Sequence, residues 1–167
     1  MKLFSKIIFL IFFVLTSKSY SCDLSGLNLG NDFDSIKLNE IQKSLISGDR
    51  IDNFQTKFIP IDILCENLNS MEIKLSLLNN EMFYIAYFNY DLKNQSLLNI
   101  SKEIYNLDFK FQEDLKNLNY KYLQILEEKK NYFYHYDKIN NLEILELINP
   151  SLNNQYRNLK IDNEFEH

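Results

Sequence analysis

Glycine, proline and cysteine are scarce in this chain of 167 residues, and tryptophan is absent: there are three glycines, two prolines and two cysteines. Each scarcity excludes a kind of chemistry. Gly26, Gly30 and Gly48 are too few and too far apart to build a loop whose backbone amides close around a phosphate. No His-Glu-x-x-His, Gly-x-Ser-x-Gly or Ser-x-x-Lys sequence occurs. Of the two histidines one is the terminal His167, so His135 is the one imidazole placed for acid–base or metal work. A zinc site needs three or four converging nitrogen or sulfur ligands, which one histidine and two cysteines do not supply. No metal, no cofactor and no catalytic residue is therefore expected.

Positive charge is also in short supply. Arginine occurs twice, and the whole chain has 18 basic against 23 acidic residues. Taking away Lys2, Lys6 and Lys18 at the N-terminus leaves 15 against 23, a charge of −8. That balance offers no clustered cationic face, which excludes a nucleic-acid footprint and electrostatic docking to anionic lipid.

What the N-terminus does have is the pattern of an exported protein. Lys2 and Lys6 precede the apolar run from Ile7 to Leu15, and Ser19-Tyr20-Ser21 gives a small-x-small exit. The uncharged stretch is well short of the roughly 20 residues of a permanent transmembrane helix, so residues 1–21 read as a signal peptide and 22–167 as a single mature domain. The expected location is periplasmic or extracellular, with no membrane-spanning segment after cleavage. Cleavage delivers Cys22, which has two fates. It can pair with Cys65, the only other cysteine, in an oxidising compartment; closing that loop is worth about 4 kcal/mol in the chain-entropy model. Or it can bear a lipid, although Ser19-Tyr20-Ser21 lacks the usual aliphatic residue upstream.

The remaining residues are 46% hydrophobic and 14% aromatic over the whole chain, which is enough apolar material to fold in spite of the many asparagines. Asn31, Asp32 and Asp34 suit the start of a helix, and Phe33, Ile36, Ile41 and Leu45 follow at helical spacing, which predicts a helix over 32–47 stopped by Gly48. An isoleucine-rich extended segment follows over 57–64, with Pro60 marking an edge strand or a strand start. Met71, Ile73, Leu75 and Leu77 alternate with Glu72, Lys74 and Ser76, and Asn79-Asn80 suits a tight turn into a second strand over 82–90. Leu97, Ile100, Ile104 and Leu107 predict an amphipathic helix over 96–107. Residues 113–129 read as a helix, or as a strand around Tyr120 to Leu123, and strands are expected over 132–136, 142–148 and 156–161. Consecutive strands joined by short turns imply an α+β fold: an antiparallel sheet meander with two to three helices packed on one face. The order also suits a diverged duplication of a helix-plus-three-strand unit, matching Phe33 to Ile41 with Leu97 to Ile104.

The functional expectation rests on tyrosines. Tyr84, Tyr90, Tyr132, Tyr134 and Tyr136 fall on strands that could adjoin, and tyrosine is favoured on binding surfaces; the plain alternative is that they are sheet formers packed under the helices. In a strand, His135 shares its face with Phe133, and the three tyrosines around it share the other. The acidic pairs Asp49 with Asp52, Glu113 with Asp114 and Glu127 with Glu128 read as solvated charge, and the glycosylation sequons at Asn94 and Asn99 as chance matches in an asparagine-rich chain. The expected function is a non-catalytic exported domain that binds a protein, peptide or glycan in the cell envelope or secreted space. Two alternatives are a small secreted hydrolase using His135 with an acidic partner, and a structural envelope lipoprotein anchored at Cys22.

Overall fold

The computed structural model describes residues 24–65, 70–92, 96–110 and 119–165, the side chains of Ser96 and of residues beyond 158 excepted. The expected signal segment and Cys22 lie outside the described residues. Seven strands form one antiparallel sheet: β1 Ser47–Ile51, β2 Phe54–Pro60, β3 Met71–Leu78, β4 Glu81–Asn89, β5 Tyr120–Leu126, β6 Asn131–Asp137 and β7 Leu142–Ile148. Among the described residues three α-helices accompany them, α1 Glu40–Ser44, α2 Ser96–Tyr105 and α3 Pro150–Phe165. The strand order is β1-β2-β3-β4-β7-β6-β5. One meander runs from β1 to β4; a second, β5 to β7, joins it with its last strand against β4. This is the expected α+β class.

The alternation of β3 and β4 shows why the sheet forms. Met71, Ile73, Leu75 and Leu77 are buried, and the register sets Ile73 opposite Tyr87 and Leu75 opposite Ile85, so one face of both strands leaves water together. The turn between them has φ of 51° at Asn79 and 75° at Asn80. Positive φ at both central residues matches the twist of a two-residue hairpin, and asparagine tolerates it better than most side chains. A register shift beside Ser76 and Leu77 makes Phe83 the extra residue of a bulge. The core face continues through Leu145 and Leu147 of β7 and Tyr132 and Tyr134 of β6.

The segment from Leu24 to Ile46 lies across this core face and is where the sequence misleads most. The expected helix over 32–47 is instead a 3-10 turn at Phe33–Ser35, the five-residue α1, and then β1. Backbone bonds to the hairpin explain the difference. Gly30 N donates to Met82 O at 2.8 Å, Phe33 N to Asn80 O at 2.8 Å, and Met82 N to Asn31 O at 2.9 Å, so these groups are used in tertiary pairing. Phe33 and Ile36 are buried as the stripe requires, but Ile41 and Leu45 are 75% and 54% exposed. The helix cap is Asn39, whose side chain accepts from Gln42 N while Gln42 Oε1 accepts from Asn39 N, both at 2.9 Å. Gly48 does not stop a helix; it sits in β1, where a Cβ would come 1.9 Å from Thr56 O.

Three further segments differ from expectation. Pro60 closes β2 opposite Glu72, and Ile61–Ile63 is a 3-10 turn, so β2 is an inner strand that ends at its proline. Tyr120–Leu126 is a strand: pairing with β6 buries Lys121 and partly buries Leu123 and Ile125 on one side, which overrides the helical spacing. Residues 113–118 of that expectation lie outside the described residues. The strand expected over 156–161 is part of α3. Asn149 caps that helix, its Oδ1 accepting from Leu152 N at 3.3 Å and its carbonyl from Asn153 N at 3.0 Å, with Pro150 at the first helical position.

The helices take different faces. α2 lies on the core face, where Leu97 and Ile100 are buried. There Tyr87 Oη donates to Tyr105 Oη, which donates to Leu27 O at 2.7 Å. α3 lies on the reverse face, where the Tyr156 ring packs 5.5 Å from Phe54 and 5.9 Å from Phe83 and its hydroxyl bonds Thr56 Oγ1 at 3.3 Å. The meanders have four strands and three, and Phe33 to Ile41 does not form the helix matched above with Leu97 to Ile104.

Candidate functional site

Away from α3 the reverse face of the sheet is only partly covered. Register fixes what stands there. One cross-strand row runs Tyr122, His135, Ile144, Phe88 and Glu72; the next runs Gln124, Phe133, Glu146, Ala86, Lys74 and Phe58. Tyr122 is exposed, and Phe58, Phe88, Phe133, His135, Ile144 and Glu146 are half-buried. Tyr122 stacks on Phe133 with centroids 6.0 Å apart and 25° between planes, and meets the His135 ring edge-on at 4.8 Å. The Lys74 ammonium lies 5.6 Å from the Phe58 centroid and 5.9 Å from that of Tyr84.

A polar network is set into this aromatic surface. Glu146 accepts from Tyr84 Oη at 2.7 Å and contacts His135 Nε2 at 3.0 Å; Tyr120 Oη lies 3.4 Å from His135 Nδ1. Burial pushes the Glu146 carboxyl upward, but the hydrogen bonds from His135 and Tyr84, with the charges of His135 and Lys74, outweigh it and hold the group below the usual range. Burial first, and then the Glu146 charge, raise the Tyr84 hydroxyl well above the usual phenol value. At neutral pH Glu146 is thus an ionised acceptor for the Tyr84 hydroxyl, with His135 Nε2 within hydrogen-bond reach. Both Glu146 oxygens are engaged. Among the described residues no group of three or more His, Cys, Asp or Glu could hold a metal ion.

The five tyrosines singled out in the sequence are not brought together. Tyr84 stands on the reverse face, and Tyr90 is half exposed just beyond β4. Tyr132 and Tyr134 are buried in the core face, and Tyr136 lies there under the Lys121 ammonium at 4.8 Å. Tyr134 Oη donates to Glu143 Oε1 at 2.8 Å. Glu143 is itself buried, its other oxygen accepting from Asn89 Nδ2 at 2.9 Å and from Leu97 N at 3.4 Å. It therefore caps the first turn of α2 from a neighbouring strand. His135 and Phe133 share a face, as alternation requires. Nothing in the sequence alone marks Tyr122, Phe133, Glu146, Phe88 and Phe58 as one surface. Period-two alternation does pair Phe133 with His135 and Ile144 with Glu146, but which strands adjoin is a long-range fact.

Cys65 is buried, its amide donating to Ile61 O at 2.8 Å; its expected partner Cys22 lies outside the described residues. No helix among the described residues is long and apolar enough to cross a membrane. Comparison with protein-family models, with curated proteins and with solved structures finds no match to this chain.

Proposed function

We propose that this chain is an exported, non-catalytic binding domain that takes its partner, a protein, peptide or glycan, on the reverse face of the sheet. The observation that supports this most is the surface itself. Aromatic and aliphatic side chains from five strands stand there half-exposed around an ordered Tyr84–Glu146–His135 network. Flat rings with a few fixed hydrogen-bonding groups suit both sugar faces and apolar side chains. Export rests on the N-terminal pattern, and the bridge from Cys22 to Cys65 on the chain having only two cysteines and no free one among the described residues. Affinity purification of the mature protein from its native envelope tests the reading. Wild type should recover a partner that Tyr122→Ser/Phe133→Ser does not, with both proteins equally folded; equal recovery by the two sinks it. Mass spectrometry of the mature chain separates the bridge from the lipoprotein alternative, which requires a diacylglycerol adduct on Cys22.

The 3.0 Å contact between His135 and Glu146 favours a second reading, a small hydrolase with this pair as its acid–base group. It requires turnover of an ester, amide or glycoside substrate that His135→Gln abolishes. If the variant leaves turnover unchanged, or no substrate is turned over, the pair belongs to the binding surface.

A further inference from the structure

The two edges of the sheet are built differently. β1 has five residues and places Gly48, Asp49 and Arg50 on its edge, and short length and charge are usual protections of an exposed strand. β5 has seven residues without proline or glycine, and its single charge, Lys121, is buried on the core face over Tyr136.

The hydrogen-bond phase of β5 follows from its two ends. Glu127 N donates to Lys130 O at 2.9 Å and Lys138 N to Asn119 O at 2.7 Å. Bonded and non-bonded pairs alternate along an antiparallel ladder, so the odd-numbered residues of β5 bond β6. The amides and carbonyls of Tyr120, Tyr122, Gln124 and Leu126 point outward, and among the described residues no strand lies beyond them. The side chains of the same four residues are exposed, Tyr120 by 54% and Leu126 by 60%.

We propose that β5 is a homodimerisation edge, pairing antiparallel with β5 of a second copy. A two-fold axis at Leu123 sets Tyr120 opposite Leu126 of the second copy and Tyr122 opposite its Gln124. All of these are outward-facing positions, so the four pairs exchange about eight backbone hydrogen bonds. Tyr120 and Leu126, both exposed in the single chain, cover each other twice. Beyond the strand ends Glu127 falls opposite Asn119 of the second copy, beside the exposed Lys138 bonded to it, so acid meets base at both ends. The occupant is a second copy because the strand is complementary to itself. β5 contains no carboxylate, and in an acidic chain it is where two copies approach with least repulsion. A pairing of this size buries less than the roughly 1,200 Å² of a standard interface, and a dissociation constant of about 1–100 μM is expected.

Analytical ultracentrifugation of the full chain, produced through an export pathway, tests this. Wild type should associate to a dimer in that range. Gln124→Pro removes an outward amide and leaves the β5–β6 ladder intact. It should raise the dissociation constant at least about tenfold, with an unchanged melting temperature at concentrations where both proteins are monomeric. If that variant fails to fold, Leu126→Lys at an exposed side chain should weaken the dimer in the same way. A monomer up to about 1 mM, or a dimer indifferent to the folded variant, overturns the proposal.

Discussion

Glu143 and Glu146 lie three residues apart on β7, so they point to opposite faces and take different roles. Glu143 is enclosed, accepting from Asn89, Tyr134 and the α2 backbone. Glu143→Leu takes a shared acceptor from three donors at once and should cost about 3 kcal/mol, read as a lowered urea midpoint with an unchanged slope. Glu146 is partly exposed, and its carboxyl is held below the ordinary value in the folded state. A depressed folded value means that folding favours the ionised form. The stabilisation is complete above the unfolded value of about 4.3, and is lost as pH falls through the folded value. Urea midpoints measured against pH should fall more steeply in acid for wild type than for Glu146→Gln, and the gap between the two should close at the acid end.

Hairpins and helices with strong local signals were legible. The β3–β4 hairpin, its asparagine turn and α2 are local patterns that tertiary structure did not oppose. Asn79→Val should cost about 1–2 kcal/mol, because a β-branched residue resists positive φ, and Asn79→Gly should be near neutral by thermal denaturation. Where local signals failed, long-range pairing was the cause. Residues 30–33 spend their backbone bonds on the hairpin instead of on a helix, and Tyr120–Leu126 gains more from β6 than from helical spacing. α3 differs in kind: Asn149-Pro150 is a helix start readable in the sequence, and over 156–161 only Tyr156, Leu159 and Ile161 are apolar, too few and too unevenly spaced to specify a strand. Tyr156 now explains that helix's place on the sheet. Tyr156→Phe should cost about 1 kcal/mol for the Thr56 bond, and Tyr156→Ala about 2–3 kcal/mol for the packing on Phe54 and Phe83, both measured by urea unfolding.

At the scale of the molecule the two faces of the sheet divide the work. The core face is closed by the segment from Leu24 to Ile46 and by α2, and holds two of the tyrosines that the sequence offered as a binding surface in full burial. Face assignment within each strand was legible from alternation; which strands adjoin, and so which side chains form one surface, was not. For that reason the sequence alone does not set His135 beside Glu146. A competing surface exists in the exposed Ile41 of α1 and Leu45 just after it. The central claim is therefore tested most directly by partner retention from envelope extract, comparing wild type with Tyr122→Ser/Phe133→Ser and with Ile41→Ser/Leu45→Ser. The reverse face predicts loss at least about tenfold for the first variant and none for the second, with all three proteins folded. Retention by the first and loss by the second would contradict it.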